Sequence, residues 1–375
     1  MRSLLFLILA LMMFPQVVET IYSPALPSIA AFFGVSVSTA GLTLSCYFVA
    51  FAFGVVFWGV MADKLGRRPA MMLGLVCYAL GSAIAVYAPN FEWLLLARAL
   101  CAFGVATGSV VSQTILRDRW QGPQLAEFFS YMGMGIALSP AIGMLAGGQL
   151  VSFGGHQAVF SVLLLIALLL LAVTARALPE TRREQVSVDL SALGQQMMKD
   201  KALWRDAILV ACFNVLLFGY YLQGPFLFAR FGLSEQTFGY SGIALAIGTV
   251  FGSYTNKILL KSGQSPDQLI ANASQLAVIS AAGVYALQSS LLFLLPMMGV
   301  VAAFAIAIPN LLSRALKTYQ SQLGGAGALF GLGYYLFIGA GLGISGWLEN
   351  LGVSSLLCAT IALLVTSKDR ATLAR

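Results

Sequence analysis

The chain has 375 residues, of which 59% are apolar and only 9% charged, with a net charge of +7 at neutral pH. A soluble domain carries about 25% charged residues, and the mean hydropathy of +0.88 excludes a chain built to fold in water. Five cysteines (46, 77, 101, 212 and 358) lie in apolar runs without pairing or metal-ligand spacing, so they are expected as small apolar helix residues.

A membrane-spanning helix needs about 20 mostly apolar residues. The sequence holds twelve such runs, centred near residues 14, 51, 80, 104, 139, 166, 217, 248, 277, 301, 335 and 359. The first, "MRSLLFLILALMMF", has the charge and apolar core of a secretory signal. No small-residue cleavage pattern follows in "PQVVETIY", so a retained helix is expected. With alternating helices, nineteen of the 21 basic residues fall on one side. They include Lys64, Arg67 and Arg68 after the second span, Arg117 and Arg119 after the fourth, Arg182, Arg183, Lys199 and Lys201 in the centre, and Arg314 after the tenth. The exceptions are Arg98 and Arg230. The positive-inside rule then places both termini and the central loop in the cytoplasm. It also accounts for the net charge without nucleic acid.

The longest polar stretch, "LPETRREQVSVDLSALGQQMMKDKALWRD" at 178–206, divides the chain into six spans (1–177) and six more (207–375). Two six-helix halves with a site between them is a transporter architecture. The halves echo each other weakly: "GVMADK" at 59–64 against "GSYTNK" at 252–257, and "GYYLQ" at 219–223 against "GYYLF" at 333–337.

In "GVMADKLGRRP" at 59–69, Asp63 accepts hydrogen bonds near a helix end while Lys64, Arg67 and Arg68 supply positive charge. Gly59 and Gly66 allow close approach and a tight turn. Charge alone also permits a merely basic loop. The ordered pattern resembles the signature loop of the major facilitator superfamily. That resemblance implies an all-α fold of twelve spans in two halves, with Gly59, Asp63, Arg67 and Arg68 as a conformational latch. "LLLARALCAFG" at 94–104 resembles the superfamily's helix 4 signature, with Arg98 and Gly104 matching and Cys101 and Ala102 departing from it. "GMGIALSPAIGMLAGG" at 133–148 resembles the antiporter motif of helix 5, through Gly135, Pro140, Gly143 and Gly147, with Ser139 before the proline. "ETIYSPALPSIA" at 19–30 is similar to helix 1 of drug–proton antiporters of the bicyclomycin-resistance and EmrD-like branch. Much of that branch carries an Asp where Thr20 stands here; this chain has its acid one place earlier, at Glu19.

Glu19 is the one acid well inside a span, and Arg98 the one base. A charge at mid-bilayer costs ~2.5–3.5 kcal/mol on insertion scales, so such residues face cavities and act there. Glu19 and Arg98 are the expected proton-coupling residues. A carboxyl group occluded in an apolar cavity holds a proton and releases it when opened to water or brought near a cation. The alternative is a static Glu19–Arg98 pair, or a Glu19 hydrogen-bonded to Thr20 or Tyr22 for packing. Further cavity candidates are Thr20, Tyr22, Tyr47, Asn214, Tyr220, Tyr221, Gln223, Asn310, Tyr334 and Tyr335, since aromatics with scattered amides suit a flat or amphipathic ligand. His156 is expected on the surface, in an outer loop. The glycines of "GGAGALFGLGYYLFIGAGLGISG" at 324–346 suit a helix that rocks against another.

No Ser/His/Asp set, metal cluster or phosphate-binding loop stands in its required context. The expectation is a non-enzymatic, proton-coupled exporter of small organic molecules. It would work as a monomer in a bacterial inner membrane, with no cofactor, no metal and no nucleic acid. The alternatives are a transporter of one metabolite such as a siderophore, or a receptor that keeps the fold and moves nothing.

Overall fold

Helix boundaries fall where the sequence supplies caps. A computed structural model describes residues 2–182 and 190–373; Arg183, counted above among the basic residues, and most of the 178–190 stretch lie outside it. Helix α1 (Arg2–Ile21) passes through a 3₁₀ turn into α2 (Leu26–Phe33), which ends on left-handed Gly34. Ser36 caps α3 (Val37–Leu65) by accepting the Thr39 N–H, and Asn90 caps α5 (Phe91–Arg119) by accepting the Trp93 N–H. Between them α4 (Arg67–Val86) starts after Gly66. The second set begins at α8 (Lys201–Arg230), where Asp200 accepts two N–H groups, followed by α9 (Glu235–Lys261) capped by Ser234. A Ser265–Gln268 capping box opens α10 (Pro266–Leu287), and α11 (Leu294–Ala315), α12 (Leu323–Leu348) and α13 (Leu351–Leu373) complete the chain. A short helix, α7 (Leu190–Lys199), lies between the sets.

Helix α6 (Gly122–Ala177) covers two expected spans at once. Its 56 residues would reach ~84 Å if straight, far beyond a ~30 Å hydrocarbon core. Gly154 (φ −165°, ψ 30°) and Gly155 (φ 62°, ψ −156°) break it, the second in a region only glycine enters freely. The break therefore falls at this glycine pair, while Pro140 stays inside helix. Among the described residues ten helical stretches are long and apolar enough to cross a membrane, one of them this double-length segment, and Leu351–Ser367 adds a shorter apolar helix. Large apolar side chains such as Phe53, Leu80, Phe251, Ile279 and Trp347 face outward, which a bilayer tolerates and water does not.

His156 corrects an expectation. Helix resumes at once after the glycine break, so this residue packs inward instead of sitting in a surface loop. It is buried, with its ring 4.8 Å from Phe32 and 5.8 Å from Phe33.

Helices α1–α6 pack mainly on one another, as do α8–α13; the halves meet chiefly through α3 on α12 and α6 on α9, with the turn after α1 and α2 against α8. We call the side where α3 ends and α8 begins the linker end, and the side of Gly34, Gly155 and Glu349 the far end.

Candidate functional site between the halves

Glycines set the spacing of the halves. A Cβ on Gly239 of α9 would lie 2.7 Å from the Met144 carbonyl oxygen of α6, and one on Gly339 of α12 would lie 2.6 Å from Val49 of α3. The glycine-rich stretch of α12 thus forms a face for α3, as its composition suggested. Six described hydrogen bonds cross between halves, and all lie toward the far end. Ser38 N–H donates to Glu349 Oε1 (3.1 Å), Ser45 Oγ to the Gly339 carbonyl (2.6 Å) and Ser23 Oγ to the Tyr221 carbonyl. Gln149 Nε2 donates to Tyr240 (3.0 Å), and Gln236 Nε2 donates to Gln149 (3.2 Å) and Ser152 (2.7 Å). The far end is shut.

Beneath this closure sits a buried cluster. Glu19 and Arg98 are both buried and within electrostatic reach of each other, yet no ion pair within 4.0 Å joins them. Arg98 instead lies between two rings, its guanidinium carbon 4.0 Å from the Tyr22 centroid and 4.5 Å from that of Tyr47. Such cation–π contacts satisfy the faces of the guanidinium, while its three nitrogens have no hydrogen-bond partner among the described residues. Tyr22 donates to Thr43 (2.8 Å), so its hydroxyl is not a Glu19 donor. Tyr47, Tyr221, Tyr334 and Tyr335 lie within electrostatic range of Glu19, which brings α1, α3, α8 and α12 to one place. Phe51 and Tyr335 (4.8 Å) and Phe48 and Phe218 (4.6 Å) extend the aromatic lining across the halves.

Among the described residues Glu19 is neither ion-paired to Arg98 nor hydrogen-bonded to Thr20 or Tyr22. Five cavity candidates make their described hydrogen bonds outside this cluster. Thr20 donates to the Gln16 and Val17 carbonyls and faces Gly143 of α6. Asn214 donates to the Val210 carbonyl of its own helix (2.8 Å). Tyr220 bonds with Ser241 of α9, and Gln223 donates to Ser345 and Ser354. Asn310 lies toward the linker end and donates to Asn256 (2.7 Å). Asn256 is the residue that echoes Asp63 in "GSYTNK".

The antiporter motif packs α6 on α1. A Cβ on Gly143 would collide with Thr20, one on Gly147 with the Ile21 carbonyl, and one on Gly135 would meet Met13 at 2.9 Å. Close packing survives the departures in the helix 4 signature: a Cβ on Gly104 would lie 2.6 Å from the Gly74 carbonyl oxygen of α4.

At the linker end, fully buried Arg67 binds Asp63 (3.1 Å), Asp118 (2.8 Å) and the Ala62 carbonyl (3.0 Å). Arg68 donates to the Ala175 carbonyl. Glu180 Oε1 and Oε2 accept the Arg67 and Arg68 N–H groups (2.9 and 3.2 Å), anchoring the start of α4. Burial pushes the Glu180 carboxyl up, but the N–H groups of Arg67, Arg182, Arg68 and Thr181 more than offset this and hold it below its ordinary value. Gly66 (φ 107°) has no room for a Cβ beside Glu180, whereas one on Gly59 would make only ordinary contact with Val110 (3.7 Å). The described contacts of Asp63, Arg67 and Arg68 are with the N-terminal half and with Glu180 at the start of the 178–206 stretch. Asp118 and Glu180 were not singled out for these roles from sequence; the visible signal was an acid set among arginines in "LRDR" and the acid of "LPET". A second cluster serves the other half: Arg314 Nε donates to Asp206 (3.1 Å) and Nη1 to Asp267 (2.5 Å), tying α8, α10 and α11.

The family model described as Major Facilitator Superfamily matches residues 5–343. An uncharacterized transporter of Rickettsia felis is 32% identical, over 89% of this chain and 87% of the relative. A bicyclomycin resistance protein homolog of Haemophilus influenzae is 27% identical, over 86% and 83%. Among solved structures, the D-xylose–proton symporter superposes with TM-score 0.76 at 14% identity, covering 96% of this chain and 97% of that one. A bacterial homolog of the human lysosomal transporter Spinster, inward-facing and occupied, gives TM-score 0.76 at 17% identity, covering 98% and 95%. With the family model spanning most of its length, and with a helical fold in two facing halves, this chain belongs to the Major Facilitator Superfamily of membrane transporters.

Proposed function

We propose that the protein is a proton-coupled antiporter that exports drug-like or amphipathic organic molecules by alternating access. The observation that carries this is Glu19: a buried carboxyl at the junction of the halves, near Arg98 but not paired with it, among tyrosines from both halves. A carboxyl group takes up a proton when enclosed in apolar surroundings and releases it when opened to water. Glu19 is the group we assign to that cycle, with the field of Arg98 favouring release. The substrate enters the same space, against Tyr47, Tyr221, Tyr334 and Tyr335, and competes with the proton. Similarity to a bicyclomycin resistance protein homolog and to a chloramphenicol resistance protein of Pseudomonas aeruginosa supports export of small organic compounds. The basic linker end would face the cytoplasm of a bacterial inner membrane, so far-end closure would be the inward-facing state of a working monomer. Asp63, Arg67 and Arg68 would latch by stiffening the half that rocks.

Vesicles carrying a pH gradient test this. Glu19→Gln should abolish uphill substrate movement while downhill exchange persists, because rocking of the halves does not need the charge. Uphill transport at the parental rate would overturn the assignment.

A further inference from the structure

Helices α12 and α13 diverge on the outer surface, and α8 closes the gap from behind. The resulting groove has a volume of about 300 Å³, at the lower end for small-molecule pockets. Ala211, Cys212 and Val215 form its floor, and exposed Ile344, Leu357 and Ile361 form its lips. On α12 it runs from Phe337 to Leu348, ~16 Å at 1.5 Å per residue, along the helix and so across the bilayer. Its two hydroxyl groups, on Ser345 and Ser354, already accept from Gln223 Nε2 (2.8 and 3.3 Å). The groove therefore offers an occupant almost only apolar surface, with the Cys212 and Cys358 thiols among it, and it is continuous with the surface that already faces lipid.

At the far end, the residue after Leu348 is Glu349. It lines a second, small cavity together with Gln223 and Arg230. Both charged side chains are exposed, and no ion pair within 4.0 Å joins them. Glu349 Oε1 accepts the Ser38 N–H (3.1 Å), while Arg230 has no hydrogen-bond or ion-pair partner among the described residues. Arg230 is also one of only two basic residues that break the charge asymmetry of the chain. An unpaired cation and an anion beside one another suit a ligand carrying both signs.

We propose that this is a binding site for a phospholipid with a zwitterionic head group, separate from the transport site. One acyl chain fills the α12–α13 groove; the phosphate meets Arg230, and the ammonium meets Glu349.

The test uses the full chain in mild detergent, incubated with phosphatidylethanolamine or phosphatidylglycerol and weighed by native mass spectrometry. One phosphatidylethanolamine per chain should be retained in preference to phosphatidylglycerol. Arg230→Gln should weaken retention about tenfold, the effect of one lost charge contact. Cys358→Phe, which fills the groove, should abolish it, and Ile361→Phe at the exposed lip should do so with less disturbance of packing. Leu80→Phe, on the exposed face of α4, is the control and should retain the lipid. Equal retention of both lipids, retention unchanged by the groove-filling variants, or displacement of the lipid by a drug-like transport substrate would each overturn the proposal.

Discussion

The two ends of the molecule are held by opposite chemistry. At the far end the halves meet mainly through neutral groups, Ser45 on the Gly339 carbonyl, Gln236 on Gln149 and Ser152, and glycine faces on α9 and α12, with one carboxylate, Glu349, accepting the Ser38 N–H. At the linker end the described strong contacts are charged, Arg67 with Asp63 and Asp118 in one half, Arg314 with Asp206 and Asp267 in the other. A neutral hydrogen bond contributes about 1 kcal/mol net, so several can break and reform at modest cost. Breaking a buried ion pair costs several times more. The described contacts between the halves are therefore mostly weak and neutral, and the described linker-end contacts within each half are charged.

The largest effect expected from this contrast is at Arg67. Arg67→Ala leaves Asp118 without its partner in a nearly closed site and should destabilise the protein by ~3–5 kcal/mol, read as a lowered unfolding temperature in detergent. Far-end cross-linking efficiency in the surviving folded fraction should be unchanged. Gly239→Leu should do the reverse. It wedges α9 away from Met144 of α6 and opposes closure by ~1–3 kcal/mol. A disulfide between cysteines placed at Ser38 and Glu349 should then form several-fold more slowly, with little change in unfolding temperature.

Glu180→Gln is the smallest. It removes the carboxylate anchor of α4 and should cost about 1 kcal/mol, as other helix caps do. Because the Glu180 carboxyl is held below its ordinary value, its contribution is complete above that ordinary value, ~4.3, and is lost as pH falls through the lowered one. The stability gap between parent and variant should hold at neutral pH and shrink below about pH 4. A gap that instead widens in acid would contradict the assigned contacts.

Much of this was legible in the sequence, for physical reasons that differ by residue. Spans follow from apolar length, and Glu19 and Arg98 stand out because a charge inside an apolar run is rare in lipid. That Arg98 lies between Tyr22 and Tyr47, and makes no ion pair with Glu19, depends on the rotation of three helices about their axes, which spacing along one chain does not encode. Asn310 and Gln223 looked like cavity amides, yet each is spent on a neighbouring helix of its own half. Asp118 was masked by the arginines on either side of it. His156 was misplaced because a Gly-Gly pair ordinarily marks a loop, whereas here two unusual φ/ψ values turn the chain and helix resumes directly.

The central claim is that Glu19 carries the coupling proton, and substrate-induced proton release from detergent-purified protein tests it most directly. With a transported compound added to weakly buffered parent protein, protons should appear in solution. Glu19→Gln should bind the same compound and release none, and Glu19→Asp should restore part of the signal. Proton release from Glu19→Gln equal to that of the parent would contradict the account and move the coupling site elsewhere.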